Sequence, residues 1–194
     1  MLRKIWRVIY WGSIIAGAWG IFLMLRRAPA PQVSTSPGAA LSAQQKLSEL
    51  GAPQTPSLSP GEPERIVLTE EELNSLLAER LQAANAQALP QQGIGSVRDM
   101  KVTLSGDRAR IFGLFTVAGK DLTLELEGRV RVVDGYVRFE ATGGSLGDLA
   151  LPKSALEPVI ARMFDNAETR ESFRMPPGIR DIRVENGELV IERQ

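Results

Sequence analysis

The sequence predicts an α+β protein: an N-terminal transmembrane helix, a disordered linker, then a strongly curled antiparallel sheet of about six strands packed on two helices. Three stretches carry that prediction. They are a charge-free apolar run from Val8 to Leu25, a Pro/Ser/Ala-rich tract over residues 28–63, and the two-faced strand LTLELEGRVRV from Leu122 to Val132. The chain accordingly divides into an anchor (1–27), a linker (28–63) and a curled-sheet domain (64–194).

Val8 to Leu25 is 18 residues without a charge, about 27 Å of helix, close to the hydrocarbon thickness of a bilayer. Arg3, Lys4 and Arg7 precede it and Arg26 and Arg27 follow. A cleaved leader fits less well, because the small-residue site Ala28-Pro29-Ala30 is followed by Pro31. The basic excess before the run places the N-terminus in the cytoplasm, giving a single-pass inner-membrane protein with an extracytoplasmic C-terminal domain. Gly12, Ala16 and Gly20 recur every four residues, the spacing that lets two membrane helices pack as a homodimer.

In the linker fall Pro29, Pro31, Pro37, Pro53, Pro56, Pro60 and Pro63, seven of the twelve prolines, which favours an extended spacer. Leu41 to Leu50 has partial helical spacing, but an isolated helix of that length is marginal in water.

The folded domain opens with a short strand, Arg65 to Leu68. Thr69 and Glu72 then form a capping box, and Leu73, Leu76, Leu77 and Leu81 repeat at helical spacing. Glu70, Glu71 and Glu72 read as partners of the helix dipole, since consecutive helical positions diverge too far to share a metal. From Val97 the period becomes two. Val97 to Leu104 and Ala109 to Val117 make a hairpin around Ser105-Gly106-Asp107. The returning arm is apolar on both faces, as a covered central strand would be.

In the long strand that follows, Leu122, Leu124, Leu126, Val130 and Val132 form the dry face. Thr123, Glu125, Glu127, Arg129 and Arg131 form the wet one, and Gly128 is the place for a bend. Asp134-Gly135 turns the chain into Tyr136 to Ala141, followed by a flexible glycine-rich connection. A second helix carries Leu156, Val159, Ile160, Met163 and Phe164 on one stripe, and the chain ends in a hairpin across Asn186-Gly187.

Function classes narrow quickly. With no cysteine and no histidine, disulfides, thiolate nucleophiles, the usual zinc ligand sets and Ser-His-Asp triads are excluded. The 23 basic and 23 acidic side chains balance, which argues against nucleic acid as a partner. The wet-face arginines would keep Glu125, Glu127 and Glu140 ionised, where a glycosidase needs one carboxyl with a raised pKa. The chain reads as a non-enzyme without a cofactor.

The order of a helix opening LTEEELNSLL, a long meander, a helix opening LPKSALEPVI and the ending MPPGIRDIRVENGELVIE resembles the small bacterial relatives of the tubular lipid-binding (TULIP) superfamily, the LmeA-like and YpmS-like envelope proteins. The resemblance implies a curled sheet wrapping a helix around an apolar groove. On that expectation a lipid or other apolar ligand is lined by Leu73, Leu76, Leu77, Ile111, Phe115, Leu124, Leu126, Phe139, Met163 and Phe164. The competing expectation is a non-enzymatic scaffold or assembly module with the same strands solidly packed, binding partner proteins by an exposed strand edge.

Overall fold

The computed structural model describes residues 17–20, 22–26, 28–51, 64–87, 96–117, 119–164, 171 and 173–193. In chain order the elements are α1 (Pro37–Gly51), β1 (Arg65–Leu68), α2 (Glu70–Gln87), β2 (Ser96–Ser105), β3 (Arg108–Val117), β4 (Lys120–Val133), β5 (Tyr136–Leu146), β6 (Leu149–Leu151), α3 (Lys153–Phe164), β7 (Ile179–Glu185) and β8 (Glu188–Arg193). The fold is α+β, with two antiparallel sheets: a five-stranded meander β2-β3-β4-β5-β6 and a three-stranded sheet β1-β8-β7.

This corrects the expectation of one strongly curled sheet. Neither sheet is closed or strongly curled. The reason lies in the pairing, because the terminal hairpin β7–β8 pairs with β1 and forms no ladder with the meander. The bend expected at Gly128 is where the β4–β5 register slips, between Glu127 and Gly128. Only glycine fits there, since a Cβ would collide with Glu140 O and come within 2.8 Å of Phe139 Cζ.

The disordered linker is likewise corrected over residues 28–51, while 52–63 lie outside the described residues. Ser36 caps α1, its Oγ accepting from Ala39 N at 3.1 Å, and Pro37 occupies the first turn, where a missing N–H costs nothing. Leu41 to Leu50 is marginal only in isolation. Here Ala43 is fully buried in a cluster with Ile66, Leu68, Ile179 and Ile191, so tertiary burial supplies what local propensity lacks. Ala43→Asp is expected to undock α1 by burying an unpaired carboxylate. Limited trypsinolysis checks it: cleavage after Lys46 becomes fast in the variant and stays slow in the parent.

The membrane-spanning reading is corrected as well. Among the described residues no helix is long and apolar enough to cross a membrane. Of the run Val8–Leu25, residues 17–20 and 22–25 are helical, while 8–16 and 21, with Gly12 and Ala16 of the dimer motif, lie outside the described residues. The described end of the run is docked on the meander. Asp148 N donates to Leu23 O at 3.0 Å, Arg26 pairs with Asp148 at 3.2 Å, and Ala28 N donates to Thr123 Oγ1 at 3.1 Å. That contact explains why Thr123, expected on the wet face, is buried.

A second cluster fills the space between the meander, α3 and β7, with Val102, Leu104, Ala109, Leu126, Phe139, Ala141, Leu156 and Val184. Leu189 packs against both clusters and joins them.

Candidate functional site

Of the ten residues expected to line a groove, six come together around the meander cluster and a seventh joins the other cluster. Leu126 and Phe139 are buried in the meander cluster, and Leu73, Leu77, Ile111 and Leu124 pack against it half-buried. Leu76 packs against the other cluster. Phe115 is half-buried, its ring lying along its own strand over Gly113, where a Cβ would come within 2.6 Å of Cε2. Met163 and Phe164 belong to α3, but their side chains lie outside the described part.

Three clefts among the described residues lie elsewhere, and none is lined by those ten. A groove of about 440 Å³ runs between α1 and α2, past Pro37, Ala40, Leu41, Ala78 and Gln82. A polar recess of about 490 Å³ lies on the β2–β3 hairpin beside Thr103, Arg110 and Glu127. The third, about 330 Å³, opens where β4 passes β7, between Arg129 and Val132 on one side and Asp181, Arg183 and Val184 on the other.

The wet face of the meander is a lattice of opposite charges, as alternation on paired strands requires. Arg108 bonds Glu127 at 2.9 Å, Arg110 reaches Glu125 at 3.2 Å and Glu127 at 3.4 Å, and Arg131 reaches Glu140 at 3.3 Å. The Arg108 hydrogen bond, against a smaller upward push from burial, holds the Glu127 carboxyl below its usual range. An ionised carboxylate cannot serve as a general acid. Arg129 Nε approaches Asp107 Oδ2 to 2.7 Å as an ion pair, its N–H not aligned for a hydrogen bond.

A second lattice covers the three-stranded sheet. Arg183 donates to Asp181 at 2.7 Å, Glu192 at 2.8 Å and Glu185 at 3.1 Å, and Arg65 bonds Glu185 at 2.9 Å. The Arg183 hydrogen bond is the main cause of the lowered Glu192 pKa.

Two buried polar groups stand out that residue type alone does not reveal. Asn74 lies on α2 facing β2 and behaves as a piece of strand. Its Nδ2 donates to Val102 O at 2.6 Å and to Glu70 O at 2.8 Å, and its Oδ1 accepts from Val102 N at 2.8 Å. Glu72 forms the expected capping box, Thr69 N donating to Oε2 at 2.9 Å and Glu72 N to Thr69 Oγ1 at 3.2 Å. It also holds α1, accepting from Ser42 Oγ at 2.6 Å and Lys46 Nζ at 2.8 Å. Burial pushes its carboxyl up, but Lys46, Ser42 and Thr69 together outweigh it and bring the pKa down to about 2.

No known protein family, curated protein or solved structure matches this chain.

Proposed function

We propose that this chain is a non-enzymatic assembly module that binds a partner protein through its folded domain. One observation carries the reading. Seven of the ten apolar residues that would line an acyl-chain groove, Leu73, Leu76, Leu77, Ile111, Leu124, Leu126 and Phe139, are spent on packing the two sheets and their helices. The three clefts described above lie elsewhere, two of them rimmed by charge. Paired charges around exposed backbone suit recognition of another chain, where they set register and partner choice.

The experiment has two arms on the purified full chain. Native mass spectrometry and titration with a fluorescent palmitic-acid analogue are expected to find no bound acyl chain. Panning of phage-displayed random peptides is expected to return specific binders. A stoichiometric acyl chain, or a panning that returns no binder, overturns the proposal.

A further inference from the structure

Of the large apolar side chains exposed among the described residues, Leu41 belongs to α1 and Val117 to β3, while Trp19, Phe22 and Leu25 stand together on the helical stretch before residue 28, 63%, 52% and 40% exposed. Spacing by three keeps them within one face of a helix. The Trp19 and Phe22 ring centroids are 5.7 Å apart with the planes tilted by 35°, and the Arg26 guanidinium lies 6.0 Å from the Phe22 centroid. A single exposed apolar side chain is ordinary, whereas a contiguous aromatic ridge ending in a cation marks a contact surface.

The ridge cannot be hidden by rolling the helix over. Gly20, Leu23 and Met24 on its other side are half-buried, and the backbone there is fastened to the β5–β6 turn. Asp148 N donates to Leu23 O at 3.0 Å, and the Asp148 carboxylate pairs with Arg26 at 3.2 Å. Gly147 fits so tightly beneath that a Cβ on it would come within 2.6 Å of the Leu23, Met24 and Arg26 carbonyl oxygens. With one side held by the meander, the aromatic side faces outward.

Area and charge decide what covers it. Three such side chains offer on the order of 300 Å², where a stable protein pair needs about 800 Å² from each side. A bilayer surface asks for less, because acyl chains take up the apolar side chains while headgroups take up the charge. That charge has one sign. Arg3, Lys4, Arg7, Arg26 and Arg27 bracket the apolar run Val8–Leu25, and all 23 acidic side chains fall from Glu49 onward. Arg26 is held by Asp148, so its basic neighbours in sequence supply the attraction for an anionic surface. Tryptophan in turn favours the boundary between headgroups and hydrocarbon.

We infer that this ridge is a lipid-contacting face: the N-terminal segment lies along an anionic bilayer surface, with Trp19, Phe22 and Leu25 sunk into the boundary layer to a depth of about 5–10 Å. The helix lies on the bilayer and does not cross it. This face is separate from the partner-binding surface of the assembly-module reading and stands without it. A face that partitions into a bilayer holds no stoichiometric acyl chain, so the two tests stay distinct.

The test uses the full chain with vesicles of pure phosphatidylcholine or of an equimolar mixture with phosphatidylglycerol, read by co-flotation. Wild type is expected to float with the anionic vesicles and to leave them at high salt. Trp19→Ser/Phe22→Ser/Leu25→Ser alters only exposed side chains, and is expected to weaken partitioning by roughly tenfold or more at an unchanged melting temperature. In a second variant, Trp6→Phe/Trp11→Phe leaves Trp19 as the only indole. Its emission is expected to be quenched more by lipids brominated close to the headgroups than by lipids brominated at the chain ends. Should the triple variant unfold, that quenching decides. Failure of wild type to float, equal binding to both vesicle types, wild-type partitioning in a folded triple variant, or quenching strongest at the chain ends overturns the proposal. So does a dimer that depends on the ridge and ignores vesicles.

Discussion

Asn74→Ala is expected to lower the unfolding free energy by about 3 kcal/mol, read from the urea midpoint at unchanged m-value, because it strands two buried backbone groups at once. Asn74 is 2% exposed, and its amide satisfies Val102 N–H and C=O together. Alanine leaves both without a partner on the edge of β2, under α2, where water enters poorly. Each orphaned group costs about 1–3 kcal/mol, a large share of the 5–15 kcal/mol that holds a typical domain. Asn74→Asp separates geometry from volume. It keeps the acceptor for Val102 N, loses the donor for Val102 O, and buries a carboxylate, so it should destabilise at neutral pH at least as much as alanine. A loss below about 1 kcal/mol in both variants would mean that α2 does not cap β2 in solution.

Asn74 also marks the limit of what the linear sequence discloses. Within α2 it is one polar residue among several, and nothing in its neighbours distinguishes an amide facing a strand edge from one facing water. The two-faced β4, the hairpins around Gly106, Gly135 and Gly187, and the capping box at Thr69 were legible, because each is fixed by local periodicity or by turn chemistry. Docking of α1 was half-legible. Ser36-Pro37 is a helix start signal, yet the burial of Ala43 depends on β1, β7 and β8, which come from distant parts of the chain. How the strands divide between two sheets depends on pairing of β1 with the chain's last strand, which no local pattern encodes. The overhang of β4, by contrast, could be counted from turn positions alone. β3 spans 10 residues between its turns and β4 spans 14, so a hairpin in register must leave one end of β4 without β3.

The pH dependence of stability should report on Glu72. Its folded pKa is about 2, against 4.5 for the free side chain, so the unfolded state binds the proton more readily. The stabilisation from its ionised form is therefore complete above about pH 5, is lost as pH falls from there toward 2, and is gone below the folded pKa. The difference in pKa corresponds to at most about 3 kcal/mol at neutral pH. Since Glu72 joins the start of α2 to Ser42 and Lys46 of α1, protonation loosens α1 as well as the cap. Glu72→Gln should be less stable than wild type by about 2–3 kcal/mol at pH 6, converge on it near pH 2, and lose most of the slope between. Glu127 and Glu192, also lowered by their arginines, leave a residual slope in both proteins. Parallel pH–stability curves for wild type and Glu72→Gln would show that the Lys46–Glu72 contact contributes nothing net. An early trypsin cut after Lys46 below pH 4 in wild type alone would tie the lost free energy to release of α1.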